Sequence, residues 1–89
     1  MTEKDFEEAV SFRKKECQRN GWNALDLKAS DLLEESDSDN EEACASGMLR
    51  NMMTGDQILE GNEDTRDHTL VIRYYCDNLD ESRGRTFTA

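Results

Sequence analysis

The chain has 89 residues, of which 21 are acidic and 11 basic, for a formal net charge of −10 at pH 7; charged residues make up 36% and hydrophobic ones 35%. That length suits one domain with a small core, and that charge disfavours both phosphate backbones and anionic lipid as partners. Disorder is excluded for most of the chain, because the apolar residues fall in periodic clusters and Trp22, Tyr74 and Tyr75 are among them.

The first predicted element is a helix over about residues 3–19. Thr2 can cap it, Glu3, Asp5, Glu7 and Glu8 fill the first turns, and Arg13, Lys14, Lys15 and Arg19 fill the last ones, which complements the helix dipole at both ends. Phe6, Ala9, Val10, Phe12 and Cys17 make the expected apolar stripe. Asn20-Gly21 is the stop signal. The next stretch, WNALDLKA, alternates at Leu25 and Leu27 like a strand. Leu25, Ala29, Leu32 and Leu33 instead step at helical spacing, so a helix over about 24–35 is expected, capped by Asn23, with Trp22 packed just before it. SDSDN then breaks the chain. Ser38 with Glu41 three residues on reads as a capping box for a third helix over about 40–53, in which Cys44, Met48 and Met52 step by four. Gly47 inside it costs about 1 kcal/mol against alanine unless something packs closely on it. QILE (57–60) and HTLVIRYYC (68–76) read as two strands of a long hairpin, with Leu70, Ile72, Tyr74 and Cys76 on one face. Residues 77–89 are expected to be an irregular tail after a single domain over 1–76.

The fold class expected is therefore α+β: three helices followed by a β-hairpin. Over residues 3–76 that order resembles a winged helix. The resemblance implies a DNA-binding regulator, with the third helix in the major groove and the hairpin as wing. On this sequence the readers would be Asn40, Arg50 and Asn51, and Lys14, Lys15 and Arg19 would touch phosphates. The electrostatic footprint is missing, however: the third helix opens on Asp39, Asn40, Glu41 and Glu42, and the hairpin loop carries Glu60, Glu63, Asp64 and Asp67 against Arg66 alone.

The strongest feature is DLLEESDSDNEE (31–42), seven carboxylates in twelve residues and no base. A run of this kind serves as a solvated face that keeps a small protein soluble, or as a contact surface for a cationic partner. In size and charge the chain is similar to the small acidic inhibitors that phages and mobile elements make against host nucleases, which implies imitation of nucleic-acid phosphates. Glu34, Glu35, Asp37, Asp39, Glu41 and Glu42 are the expected contacts with a basic, nucleic-acid-binding protein, and Glu63 and Asp64 are a second set. Met53 with Tyr75 or Val71 should point away from the core, a candidate patch for a partner or a homodimer.

Other chemistry finds little footing. DSDNEE lacks the glycine and the terminal glutamate of a calcium loop. Cys17, Cys44 and Cys76 have no paired spacing, which argues against a zinc site or a disulfide framework, and each falls on the apolar face of its element. His68 is the single histidine, and no phosphate loop or nucleophile–base pair accompanies it, so neither enzymatic activity nor a cofactor is expected. MTEKDFEEAV carries acids where a signal peptide needs bases, and no run nears the roughly 20 apolar residues of a membrane span, so a cytoplasmic chain is expected.

Overall fold

The computed structural model describes residues 1–77 together with Leu79, Gly84 and Thr86. Its elements run α1 (Glu3–Arg19), β1 (Ala24–Lys28), α2 (Ala29–Glu35), α3 (Glu41–Arg50), β2 (Gln57–Glu60) and β3 (Val71–Tyr75). The three strands form one antiparallel sheet in the order β1-β3-β2, so the chain is a small α+β domain.

Helix α1 forms where the sequence places it. The Thr2 hydroxyl accepts from the Asp5 N–H at 3.3 Å and the Asp5 carboxylate accepts from the Thr2 N–H at 2.8 Å, a reciprocal cap. The buried face is Phe6, Val10, Lys14 and Cys17. Phe12 does not belong to it: 58% exposed, it lies two residues from both Val10 and Lys14, almost half a helical turn away from each. The helix closes in a Schellman motif. The Trp22 N–H donates to the Cys17 carbonyl and the Gly21 N–H to the Gln18 carbonyl, both at 3.0 Å, with Gly21 at φ +77°. Trp22 itself is 60% exposed rather than packed beneath the next element.

The expected helix over 24–35 divides in two. Residues 24–28 form strand β1, pairing Leu25 with Tyr74 and Leu27 with Ile72 of β3, and the helix begins only at Ala29. Alternation wins over helical spacing here because β3 offers a partner. Arg73 also grips Asp26 across the ladder with two bonds of 2.7 and 3.0 Å. Ala29, Leu32 and Leu33 are buried as the helical pattern requires.

Strand β3 is the middle of the sheet, and Leu70, Ile72, Tyr74 and Cys76 all face the core. Its start at Val71 is later than the sequence suggested, since residues 68–70 lie outside the ladder. A bulge between Ile58 and Glu60 leaves Leu59 exposed on β2. Met53 is buried at 8% exposure and so is Val71, which removes the expected outward patch and leaves Tyr75 half-exposed. The Gly84 carbonyl accepts from Thr54 at 3.1 Å and the Thr86 N–H donates to Met52 at 2.9 Å. The rest of the expected tail (78, 80–83, 85 and 87–89) lies outside the described residues.

Helix α3 crosses α1 at Gly47. A Cβ there would come within 2.8 Å of Phe6 Cβ, 2.9 Å of the Glu3 carbonyl and 3.0 Å of the Glu7 nitrogen. Two of those three atoms are backbone and cannot give way. Gly47→Ala gains about 1 kcal/mol of helix propensity. It loses about 1–3 kcal/mol to overpacking, and more where backbone must shift. The substitution is therefore expected to destabilise the domain, read as a lower urea midpoint with an unchanged slope.

Candidate functional site

The turn between α2 and α3 gathers the acidic run. Helix α2 ends in a second Schellman motif: the Ser38 N–H donates to the Leu33 carbonyl at 3.0 Å and the Asp37 N–H to Glu34 at 3.2 Å. Asp37 sits at the left-handed position, φ +50°, where glycine is the usual occupant. Three residues on, Asn40 caps α3 by accepting from the Ala43 N–H at 3.3 Å. The expected cap, Ser38, instead accepts from the Asn40 N–H at 3.2 Å and braces the turn. Its expected capping-box partner, Glu41, is drawn elsewhere.

This double bend makes a shallow concavity of about 460 Å³ lined by Leu33, Glu34, Asp37, Ser38 and Asp39. Three carboxylates face it and no base does. Beside it, Glu42 shares a cleft of about 280 Å³ with Glu3, Asn40, Ala43 and Ser46. Glu34, Asp37, Asp39 and Glu42 are exposed, and among the described residues none has an ion pair.

The other two expected contacts are engaged. Glu35 pairs with Arg13 of α1. Glu41 accepts from the His68 backbone N–H at 2.8 Å and meets the His68 Nδ1 at 2.5 Å, which ties the β2–β3 loop to the start of α3. The ring contact first, and then the backbone bond, hold the Glu41 carboxyl below its ordinary range. Glu63 and Asp64 are exposed on the same loop. That loop is shaped from within: the Asn62 N–H donates to the Thr65 hydroxyl, the Asp64 N–H to the Asn62 side chain, and the Arg66 guanidinium to the carbonyls of Glu63 and Thr65.

The basic set expected to grip DNA comes apart. Lys14 is 4% exposed; its Nζ donates to the Asn51 carbonyl and lies 4.8 Å from the centre of the Tyr74 ring. Asn51, expected as a base reader, is 2% exposed, its amide donating to the Glu7 carbonyl at 2.6 Å and accepting from the Ser11 hydroxyl at 3.2 Å. Both assignments are corrected: these two side chains satisfy buried polar groups where α1 meets the end of α3. Asn40 spends its side chain on the cap and on the Met1 carbonyl, and Arg50 pairs with Glu3 at 3.2 Å. Lys15 and Arg19 stay exposed. The clue to Lys14 lay in its spacing, since 6, 10, 14 and 17 make one helical stripe.

Among the described residues no three His, Cys, Asp or Glu side chains converge as metal ligands, and no helix is long and apolar enough to cross a membrane. Compared with family models, curated proteins and solved structures, the chain matches none.

Two expectations follow. Glycine at position 37 relieves the left-handed backbone, so Asp37→Gly should raise stability by about 0.5–1 kcal/mol in urea titration. For Glu41, a folded-state carboxyl below its ordinary 4.5 adds stability that is full above that value and is lost as pH falls through the folded one. Acid titration of the urea midpoint should therefore fall less steeply in Glu41→Gln than in the parent.

Proposed function

We propose that this chain is a non-enzymatic, winged-helix-like binding module whose acidic α2–α3 turn docks on a basic protein surface of the kind that holds nucleic acid. The observation that carries this reading is the concavity itself: Glu34, Asp37 and Asp39 converge on one hollow with no cation among its lining residues. An arginine or lysine of a partner fits such a hollow, and Arg adds a planar fork that carboxylates accept. Asp37 strengthens it. A carboxylate held at φ +50°, where glycine is less strained, points to a use for its charge. In its most specific form the module imitates nucleic-acid phosphates and inhibits a nuclease or another DNA- or RNA-binding protein, as an anti-defence protein of a phage or mobile element would.

Support for the winged-helix-like description comes from strand β1. The order α1-β1-α2-α3-β2-β3, with β3 between β1 and β2, is the order of that fold. The same observation favours the second reading, a DNA-binding regulator that uses α3. That reading now rests on Lys15 and Arg19, because Lys14 and Asn51 are buried and Arg50 is paired. A third reading, a dimerising domain built on Met53 and Tyr75, loses support with the burial of Met53.

The test uses a basic DNA-binding domain preloaded with labelled duplex at about 50 mM salt, where phosphate contacts are strong. The chain should displace the duplex and should not bind it directly. Replacing Glu34, Asp37, Asp39 and Glu42 by lysine should slow association with the basic domain about tenfold or more. Replacing Glu8, Glu16, Glu60 and Asp77, the same change in net charge, should slow it much less. Direct micromolar binding to duplex would favour the regulator; equal slowing by the two sets would remove the concavity from the mechanism.

A further inference from the structure

We propose that the outer edge of β1 is an interface, at which two copies of this chain pair β1 with β1 antiparallel across a two-fold axis and join their three-stranded sheets into one. Strand β1 lies at one edge of the sheet, with β3 as its only neighbour. Two hydrogen bonds at its ends fix which backbone groups it spends on β3. The Cys76 N–H donates to the Asn23 carbonyl at 2.8 Å, and the Ala29 N–H donates to the Leu70 carbonyl at 2.9 Å. In an antiparallel ladder the backbone groups of alternate residues turn to the same side. Residues 23, 25, 27 and 29 therefore turn theirs to β3, and Ala24, Asp26 and Lys28 turn theirs outward. Among the described residues no backbone group takes those outward donors and acceptors.

The opposite edge is built differently. Strand β2 carries a bulge between Ile58 and Glu60, which breaks the regular run that an added strand needs. Strand β1 keeps an unbroken register against β3 from Ala24 to Lys28. Its flank is also open, since Trp22, Asn23, Asp26 and Lys28 are all exposed.

A second copy fits this edge because the strand is complementary to itself. With the axis at Asp26, Ala24 meets Lys28 of the second copy, Asp26 meets Asp26, and Lys28 meets Ala24, so every outward residue of both strands exchanges bonds. On the core face Leu25 then lies opposite Leu27 of the second copy. The half-exposed Leu25, which packs at the rim of the core, gains apolar cover there. The two Asp26 side chains do not meet as bare carboxylates. Each is held by Arg73 of its own chain at 2.7 and 3.0 Å, and Lys28 of the other copy lies on the diagonal. This surface shares no residue with the acidic turn or with Met53 and Tyr75.

The test is sedimentation equilibrium of the full chain up to about 1 mM, the reach of a small, weak interface, where a two-chain mass is expected. Two chains of charge −10 repel each other, so added salt should tighten the pair, whereas docking of the acidic turn on a basic surface weakens with salt. Amide exchange at Ala24, Asp26 and Lys28 should be fast in the dilute monomer and slow in the pair. Lys28→Pro removes an outward N–H and no bond to β3, at a residue already extended with φ −99° and ψ 134°. It should raise the dissociation constant about tenfold or more, while Leu59→Lys on β2 should leave it unchanged. A chain that stays monomeric throughout, a pair that salt dissociates, or a pair in which those three amides still exchange fast would overturn the proposal. So would slow exchange that appears only when a different protein supplies the strand. The exchange pattern of the parent chain decides the matter even if Lys28→Pro fails to fold.

Discussion

Tyr74 is the point on which the three layers of this domain converge. Its ring is fully buried in the central strand, its hydroxyl donates to the Met48 carbonyl of α3 at 2.6 Å, and Lys14 of α1 brings an ammonium over its face. The Met48 carbonyl belongs to the last turn of the helix and also accepts from the Asn51 N–H at 3.2 Å, so the tyrosine hydroxyl is a second donor that ties the central strand to the end of α3. Lys14 does the same for the next connection by donating to the Asn51 carbonyl. Asn51 in turn binds Glu7 and Ser11, which locks the end of α3 against α1. The domain thus closes its small core with a buried polar chain, and a chain of this kind fixes one arrangement because each member has a single set of partners.

That closure decides what the surface can offer. The cluster Lys14, Lys15 and Arg19 loses its first member to the core, and the amide that an α3 reader would present is spent on α1. The carboxylates divide in a similar way. Glu35 and Glu41 hold other elements, through Arg13 and His68, while Glu34, Asp37, Asp39 and Glu42 remain turned to solvent around one bend. A formal charge of −10 resists compaction, and these two ion pairs with the Asp26–Arg73 pair offset part of it locally. The proposed docking role uses only the carboxylates that folding leaves over.

Local signals made α1, its caps and the inward face of β3 legible from the residues alone. Thr2 with Asp5, Asn20 with Gly21, and the alternation of Leu70, Ile72, Tyr74 and Cys76 each act within a few residues, so no distant partner is needed to read them. Strand β1 was ambiguous for the opposite reason. WNALDLKA satisfies two periods, and the choice belongs to β3, whose Arg73 meets Asp26 from 47 residues away. Phe12 and Lys14 exchanged their expected places because hydrophobicity ranked them wrongly: a lysine stem on the stripe packs better than an aromatic ring off it. The acidic site was legible as charge but not as shape.

Sequence by itself determined the α+β class, the boundaries of α1, the buried face of the central strand and the sign of the surface, because each of these follows from neighbours in the chain or from composition. Tertiary structure alone decided that β1 is a strand, that Lys14 and Asn51 are interior, and that Glu35 and Glu41 are tied while four carboxylates around the bend are not. Those are contacts between residues far apart in sequence, and such contacts exist only once the core has brought the elements together.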